Sequence, residues 1–199
     1  MTEPDRPGGW QTTALPGVLR RRMTFHADSR GAFAELWRAG WTDPLDPGVG
    51  EGPGGPAARM AQGNLSRSRA GVLRGLHFHL RQADLWMVVD GHPLVALVDL
   101  RDAVAGRGRP VVLTIPTEPG DQLYLPSGIA HGFQAPDDMT LLYLVTNEYD
   151  GSDELGFRWD DPDAAVPWPN RSPILSERDA SAPSLAALIA RLRAEGALG

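Results

Sequence analysis

Short apolar segments separated by polar turns dominate the chain between residues 71 and 147. Each segment is rich in Val, Leu and aromatic residues, and Gly, Pro or Asp bounds it. Such runs, repeated at intervals of about ten residues, are typical of strands in an all-β sandwich or small barrel. The predicted strands are residues 71–79, 84–89, 94–100, 111–116, 122–125, 130–134 and 140–147.

The N-terminal part of the chain has a more varied pattern. Residues 1–16 are polar and contain several prolines, which predicts a flexible arm, and residues 18–25 resemble a strand. Residues 32–41 carry apolar side chains at spacings of three and four, including Phe33 and Leu36, which predicts a short amphipathic helix. Residues 43–56 consist largely of Gly and Pro, so we expect a loop there.

An amphipathic helix is also predicted near the C-terminal end. Ser181 and Pro183 are start signals. The apolar positions after them recur at helical spacing and form one stripe, made of Leu185, Leu188, Ile189 and Leu192. We expect this stripe to pack against a single mostly β domain that extends over residues 17–199.

Composition excludes several classes of function. The chain has 199 residues, the length of one domain, and contains 23 Gly and 18 Pro, which argues against a helical bundle. It has no cysteine, and all 19 basic residues are arginines, so thiolate metal sites and Schiff-base chemistry are excluded. The net charge of −6 argues against a nucleic-acid partner. Without a run of about eighteen apolar residues, no membrane partner is expected, and we predict a cytoplasmic protein.

Four polar residues with metal-binding chemistry fall in a recognisable pattern. His77 and His79 are two residues apart on a predicted strand, so their side chains project from one face. Asp84 and His131 follow in later segments that Gly and Pro bound. The pattern resembles the cupin signature, in which three histidines and an acidic residue point into a β-barrel. Asp84 stands where that signature usually has glutamate.

The ligand types alone leave metal binding open. Imidazole and carboxylate groups suit Zn, Fe, Ni or Mn, and the predicted ligand set is His77, His79, Asp84 and His131. The alternative is a polar barrel lining that holds no metal. His26 and His92 adjoin turn residues, so we expect both of them on the surface.

Longer motifs carry a closer resemblance. They are GVLRGLHF at 71–78, DLR at 99–101, LPSGIAHGF at 125–133, WDDPD at 159–163, WP at 168–169 and LSERD at 175–179. In this order they resemble the dTDP-4-dehydrorhamnose 3,5-epimerase family. The resemblance implies a cupin-type double-stranded β-helix, that is, a jelly-roll barrel, and a homodimer. It also implies that a dTDP-linked 4-keto-6-deoxyhexose is epimerised at C3, C5 or both through an enolate, with no required cofactor.

The same resemblance implies roles for particular residues. His77 matches the family's catalytic base, Asp179 the carboxylate that orients it, and Tyr143 the acid. His131 matches a second active-site histidine, and Arg74 an arginine near the substrate phosphates. The positions that match nucleotide-binding segments are Arg30, Glu35, Gln62 and Asn64.

One departure from the family pattern leaves alternatives open. The family usually has a lysine in the inner wall that holds the enolate, and Asp84 stands at that position here. A carboxylate there would repel an enolate. One alternative is a metal-dependent cupin isomerase, lyase or oxygenase that uses the four predicted ligands. The other is an inactive homologue that binds a sugar nucleotide.

Overall fold

The computed structural model describes residues 9–38 and 60–197 of the chain. The strands in these ranges are β1 Gln11–Thr12, β2 Leu19–Arg22, β3 Phe25–Asp28, β4 Gly31–Ala34, β5 Gln62–Ser68, β6 Leu73–Phe78, β7 Asp84–Asp90, β8 Leu94–Asp99, β9 Val111–Pro116, β10 Asp121–Leu125, β11 Ile129–Gln134, β12 Met139–Val145 and β13 Leu155–Gly156. The helices in the same ranges are α1 Arg101–Val104, α2 Glu177–Ala180 and α3 Leu185–Ala194. None of these helices is long and apolar enough to cross a membrane.

Two antiparallel sheets form the body of the fold. A six-stranded sheet has the order β1-β2-β10-β7-β12-β5, and a five-stranded sheet has the order β13-β6-β11-β8-β9. Apolar side chains from both sheets meet between them, among them Trp86 and Val88 of β7 and Val95 and Leu97 of β8. This two-layer arrangement of short strands confirms the predicted mostly β, cupin-type barrel.

The predicted C-terminal helix packs on the outer face of the five-stranded sheet. It begins at Leu185, and the side chain of Ser184 caps it by accepting a hydrogen bond from the Ala187 amide. Leu185, Leu188 and Leu192 are buried in one cluster with residues of β6. Full burial of one leucine side chain is worth about 1.5–3 kcal/mol, so this stripe attaches the helix firmly to the sheet.

Two glycines allow β6 and β11 to approach closely beside the cavity. A Cβ atom on Gly75, whose φ is +126°, would lie 2.7 Å from the Cα of Gly132. A Cβ atom on Gly132 would lie 2.6 Å from the carbonyl oxygen of Arg74. Only glycine avoids both clashes, and the pairing brings His77 of β6 opposite His131 of β11.

The structure corrects several N-terminal expectations. Residues 32–34, predicted as helix, form part of β4 and pair with β3 in a hairpin, while residues 35–38 have no regular structure. The turn residues between the two strands favour a hairpin. Among the residues that the structure describes, none covers Phe33, which is 65% exposed. In the predicted arm, Trp10 and Leu15 are buried and β1 pairs with β2. The predicted loop at 43–56 lies outside the described residues.

The observed strands differ from the sequence expectation at two further places. Predicted strand 18–25 is divided between β2 and β3. Strand β5 was not predicted, because its sequence QGNLSRS contains a single large apolar residue, Leu65, which is exposed. Backbone pairing with β12 holds this edge strand in place instead, with Asn64 opposite Tyr143.

Candidate active site

A cavity of about 300 Å³ lies between the two sheets and brings most of the predicted site residues together. The five-stranded sheet contributes His77, His131 and, immediately after β6, His79. The six-stranded sheet contributes Asp84 from β7 and Tyr143 from β12. The predicted histidines and the predicted acid tyrosine therefore lie on opposite walls.

His77 is oriented by a buried carboxylate. Its Nε2 lies 2.8 Å from Oδ1 of Asp179, which helix α2 places behind the imidazole and away from the cavity lining. Ser176 caps that helix by accepting a hydrogen bond from the Asp179 amide. Because the carboxylate accepts the Nε2 proton, Nδ1 of His77 keeps its lone pair and is able to act as a base.

Asp179 is ionised in the folded protein. Burial by itself would raise the pKa of this carboxyl, but hydrogen bonding and the charge interaction with His77 lower the pKa overall. Its side chain is 5% exposed, whereas that of His77 is 28% exposed. The imidazole therefore contacts both the buried anion and solvent. A catalytic base needs both contacts, because the anion orients the ring and solvent takes away the proton that the base has removed.

Tyr143 on the opposite wall is held in its protonated form. Burial raises the pKa of the phenol above its usual value, and the charges of Asp84 and Glu154 act in the same direction, while Arg74 opposes them. A phenol that keeps its proton at neutral pH is a competent proton donor.

A second cluster lies in the same cavity and consists of His79, Asp84 and His131, all buried. One ligand atom from each residue lies within 4.8 Å of the other two, and Nε2 of His131 is 3.8 Å from Oδ2 of Asp84. Burial lowers the pKa of His131 to about 4, so its imidazole is neutral at pH 7. His77 has its Nε2 on Asp179 and does not belong to this cluster, so the structure gathers three of the four predicted metal ligands.

Polar side chains of the cavity lining are held by two separate sets of hydrogen bonds. The amide of Gln62 donates to Oδ1 of Asn64 at 2.8 Å and accepts from the Tyr149 backbone N–H at 2.9 Å. Arg74 donates from Nε to Oγ of Ser68 at 3.0 Å, and its exposed guanidinium also lines the cavity. Gln62, Asn64 and Arg74, predicted to bind the nucleotide part of a substrate, thus share one cavity with His77.

Two predicted binding residues lie elsewhere. Arg30, in the β3–β4 turn, pairs with Asp28 at 2.5 Å, and Glu35 pairs with Arg38. Neither Arg30 nor Glu35 lines the cavity formed by the described residues. His26 and His92, predicted on the surface, are both exposed.

Sequence reasoning missed several residues of the cavity. Trp86 and Gln82 both donate hydrogen bonds to the carboxylate of Asp84. Trp86 lies two residues after Asp84 on β7, so the two-residue periodicity of a strand could have identified it. Gln82 precedes the strand, and no local pattern indicated it. Glu154 and Arg178 pair with each other at the cavity lining. Arg178 lies within the motif LSERD at 175–179, which could have indicated it, whereas no local pattern indicated Glu154.

Comparison with known proteins gives a consistent result. Residues 12–187 match the sequence family described as dTDP-4-dehydrorhamnose 3,5-epimerase. The chain is 34% identical over 185 residues to the dTDP-4-dehydrorhamnose 3,5-epimerase of Sinorhizobium fredii. The aligned region covers 90% of each of the two chains. It is 36% identical over 189 residues to the protein of that name from Mycobacterium tuberculosis, covering 92% of this chain and 85% of the other.

Solved structures are similar over the same extent. An epimerase from Legionella pneumophila in complex with dTDP-4-keto-L-rhamnose superimposes with a TM-score of 0.77 at 29% identity, covering 92% of this chain and 95% of that one. A 3′-monoepimerase from Streptomyces bikiniensis in complex with dTDP-quinovose superimposes with a TM-score of 0.73 at 28% identity. The match covers 92% of this chain and 89% of that one. The motifs at 71–78, 125–133 and 175–179 all lie within the matched residues.

Proposed function

The chain belongs to the dTDP-4-dehydrorhamnose 3,5-epimerase family, and we propose that it is an isomerase that epimerises a dTDP-linked 4-keto-6-deoxyhexose at C3, C5 or both. The observation that carries the proposal is the placement of an oriented base, His77, and a protonated phenol, Tyr143, on opposite walls of one cavity. Inversion of a carbon requires removal of a proton from one face and return to the other.

The first step is proton abstraction by His77. Nδ1 takes the proton from the carbon beside the C4 ketone, and the electron pair of that C–H bond moves onto the carbonyl oxygen to form an enolate. The imidazolium that results lies next to the Asp179 carboxylate, which stabilises its positive charge. General base catalysis of this kind contributes about 10²–10⁴-fold to the rate.

Tyr143 then completes the inversion by donating its phenolic proton to the same carbon from the other side. Solvent restores the starting state, because His77 and Tyr143 are both partly exposed: the imidazolium of His77 releases its proton to water, and the Tyr143 phenolate takes a proton from water. The second histidine, His131, lines the same cavity but is buried and neutral, so it does not provide a cationic acid. Which of C3 and C5 reacts depends on which carbon the bound sugar presents to Nδ1 of His77.

The nucleotide part of the substrate is proposed to lie along Arg74, Gln62 and Asn64. The Legionella pneumophila and Streptomyces bikiniensis relatives are described in complex with dTDP-linked sugars, which supports a ligand of this class. A guanidinium presents paired donors that suit a diphosphate, and amide side chains can bond to a base or ribose. Arg30 and Glu35 stay predicted nucleotide-binding residues.

We also propose a homodimer. The β3–β4 hairpin forms a sheet of its own, and Phe25 and Phe33 on it are 51% and 65% exposed. An isolated two-stranded hairpin is marginally stable in water, so an apolar surface from a second copy would stabilise it. Light scattering at two protein concentrations would test this, and a monomer at both would contradict it. The cytoplasmic location stays a prediction.

The proposed activity is tested by hydrogen exchange. The purified protein is incubated with dTDP-4-keto-6-deoxyglucose in deuterated water, and deuterium at C3 and C5 is followed by NMR. We expect incorporation at one or both carbons, with a loss of about 10²–10⁴-fold in His77→Ala. The surface variant His92→Ala is the matched control and should retain the rate of the parent. Absence of deuterium at both carbons would refute the proposed function.

A further inference from the structure

The cluster of His79, Asp84 and His131 has the ligand composition of a divalent metal site. All three residues are buried, and their ligand atoms lie within 4.8 Å of one another. Two ligands bound at about 2.1 Å from one tetrahedral metal lie about 3.4 Å apart. Small side-chain rotations therefore suffice to bring these atoms to bonding distance.

Backbone carbonyls prepare both imidazoles for coordination. Nδ1 of His79 lies 2.9 Å from the Asp153 carbonyl oxygen, and Nδ1 of His131 lies 3.1 Å from the Ile129 carbonyl oxygen. A carbonyl only accepts, so each Nδ1 carries the proton and each Nε2 presents its lone pair. Metal-ligating histidines are typically fixed in this way by a hydrogen bond on the other ring nitrogen.

The carboxylate of Asp84 is also held in position, and no cationic side chain among residues 9–38 and 60–197 pairs with it. Gln82 donates to Oδ1 at 2.8 Å, and the Trp86 indole donates to Oδ2 at 3.0 Å, which leaves lone pairs on both oxygens. No arginine of the described residues lies within ion-pair distance of Asp84, since the neighbouring Arg81 pairs with Asp150. A buried carboxylate without a counter-charge is costly, and a metal ion would remove that cost.

We propose that His79, Asp84 and His131 bind one divalent transition-metal ion through the two Nε2 atoms and a carboxylate oxygen. Two imidazoles and one carboxylate suit Zn²⁺, Fe²⁺, Co²⁺ or Mn²⁺. The cluster lines the cavity, so the remaining coordination positions face the substrate. His77 is outside the set because its Nε2 is bonded to Asp179, and it stays available as the base.

The role of the ion rests on the proposed function. Proton abstraction beside a ketone leaves negative charge on the carbonyl oxygen, and a site that lowers the barrier has to stabilise that charge. The chain contains no lysine. Two arginines line the cavity: Arg178 is paired with Glu154, and Arg74 is the residue proposed above to bind the diphosphate. A metal bound to the carbonyl oxygen withdraws this charge as a Lewis acid, with no change in its oxidation state.

Binding is tested directly with the full-length protein. The protein is treated with EDTA, dialysed and titrated with Zn²⁺ in a calorimeter and with Co²⁺ by visible absorption. We expect one equivalent in each titration and intense d–d bands from a low-symmetry Co²⁺ site. Asp84→Asn and His79→Gln should each weaken binding by at least about 100-fold. No binding by the parent, or parent-like binding by Asp84→Asn, would overturn the proposal.

A matched control excludes adventitious binding. His92 and Asp137 form an exposed pair 2.7 Å apart on the surface, so His92→Gln removes an accessible imidazole without touching the cavity. This variant should bind Zn²⁺ as the parent does, and loss of binding in it would place the ion at the surface instead. Far-UV circular dichroism of each variant confirms that its fold is retained.

Exchange measurements separate the role of the ion from the proposed function. We expect metal-free protein to lose exchange and to regain it on addition of one equivalent of Zn²⁺ or Co²⁺. Asp84→Lys, which places an ammonium near the enolate oxygen, should bind no metal yet exchange in the presence of EDTA. Parent exchange that is unchanged after metal removal would overturn the Lewis-acid role. Stoichiometric binding with no exchange in the loaded protein would instead refute the proposed function.

Discussion

Replacing Asp179 by asparagine should slow deuterium exchange while leaving substrate binding intact. The carboxylate lies 2.8 Å from Nε2 of His77 and is 5% exposed, so water screens its charge little. It does not line the cavity that would hold the substrate. We therefore expect kcat to fall and KM to stay within about twofold of the parent, as for a group that acts only as the proton is transferred.

The magnitude follows from the hydrogen bond that is lost. A hydrogen bond to a charged group contributes about 1.5–3 kcal/mol net, which corresponds to about 10- to 150-fold in rate. If the asparagine amide instead donates to Nε2, Nδ1 carries the proton and the base has no lone pair. The loss would then approach the ~10⁴-fold known for a catalytic histidine in the wrong tautomer.

The assay is deuterium incorporation at saturating and at limiting substrate concentration. Asp137→Asn is the matched control, because Asp137 holds His92 at 2.7 Å in a similar pair on the surface. That variant should exchange at the parent rate. If Asp179→Asn retains kcat within about threefold of the parent, Asp179 does not orient the base and the assignment of His77 loses its support.

Three further outcomes are expected. Tyr143→Phe should still introduce deuterium at the reactive carbon, detected by NMR, but should not invert it, and full inversion would assign the acid to another group. Gly132→Ala should lower the free energy of unfolding by about 1–3 kcal/mol, because its Cβ would lie 2.6 Å from a carbonyl oxygen. Gly108→Ala, whose Cβ meets its nearest neighbour at 3.5 Å, should cost much less in the same urea titration. Because the pKa of Asp179 is lowered in the folded state, the unfolded state binds that proton more readily. Stability should therefore fall as the pH drops below about 4, the ordinary pKa of an aspartate carboxyl, toward the lowered pKa of the folded state. The decline should be shallower in Asp179→Asn, and equal slopes would contradict this.

The sequence by itself determined the class of fold and the approximate position of most core strands. Short apolar runs bounded by Gly, Pro or Asp are a local signal, because strand length and turn chemistry depend on neighbouring residues. The apolar stripe that ends at Leu192 likewise predicted a helix whose buried face the structure confirms. Motifs of five to nine residues also sufficed to identify the family, since such matches in order do not depend on any distance in space.

Local pattern was insufficient where tertiary contacts override it. Phe33 and Leu36 have helical spacing, but the turn before them favours a hairpin, and no described residue buries their apolar side, so residues 31–34 form strand β4. The polar strand β5 has no apolar alternation, and its conformation depends on hydrogen bonds to β12. In both cases the deciding partner is remote in sequence, so a short window cannot contain the information.

Which groups meet in the cavity was decided by the tertiary structure alone. His77 and Asp179 are 102 residues apart, and only the docking of helix α2 against β6 places them 2.8 Å apart. The four predicted metal ligands could not be divided by residue type. Strand register places His77 opposite His131, and only the hydrogen bond from Nε2 of His77 to Asp179 separates His77 from the other three. The physical reason is that a sequence pattern specifies the face of a strand from which a side chain projects. Packing and hydrogen bonding then determine which atom of that side chain lies within bonding distance of another.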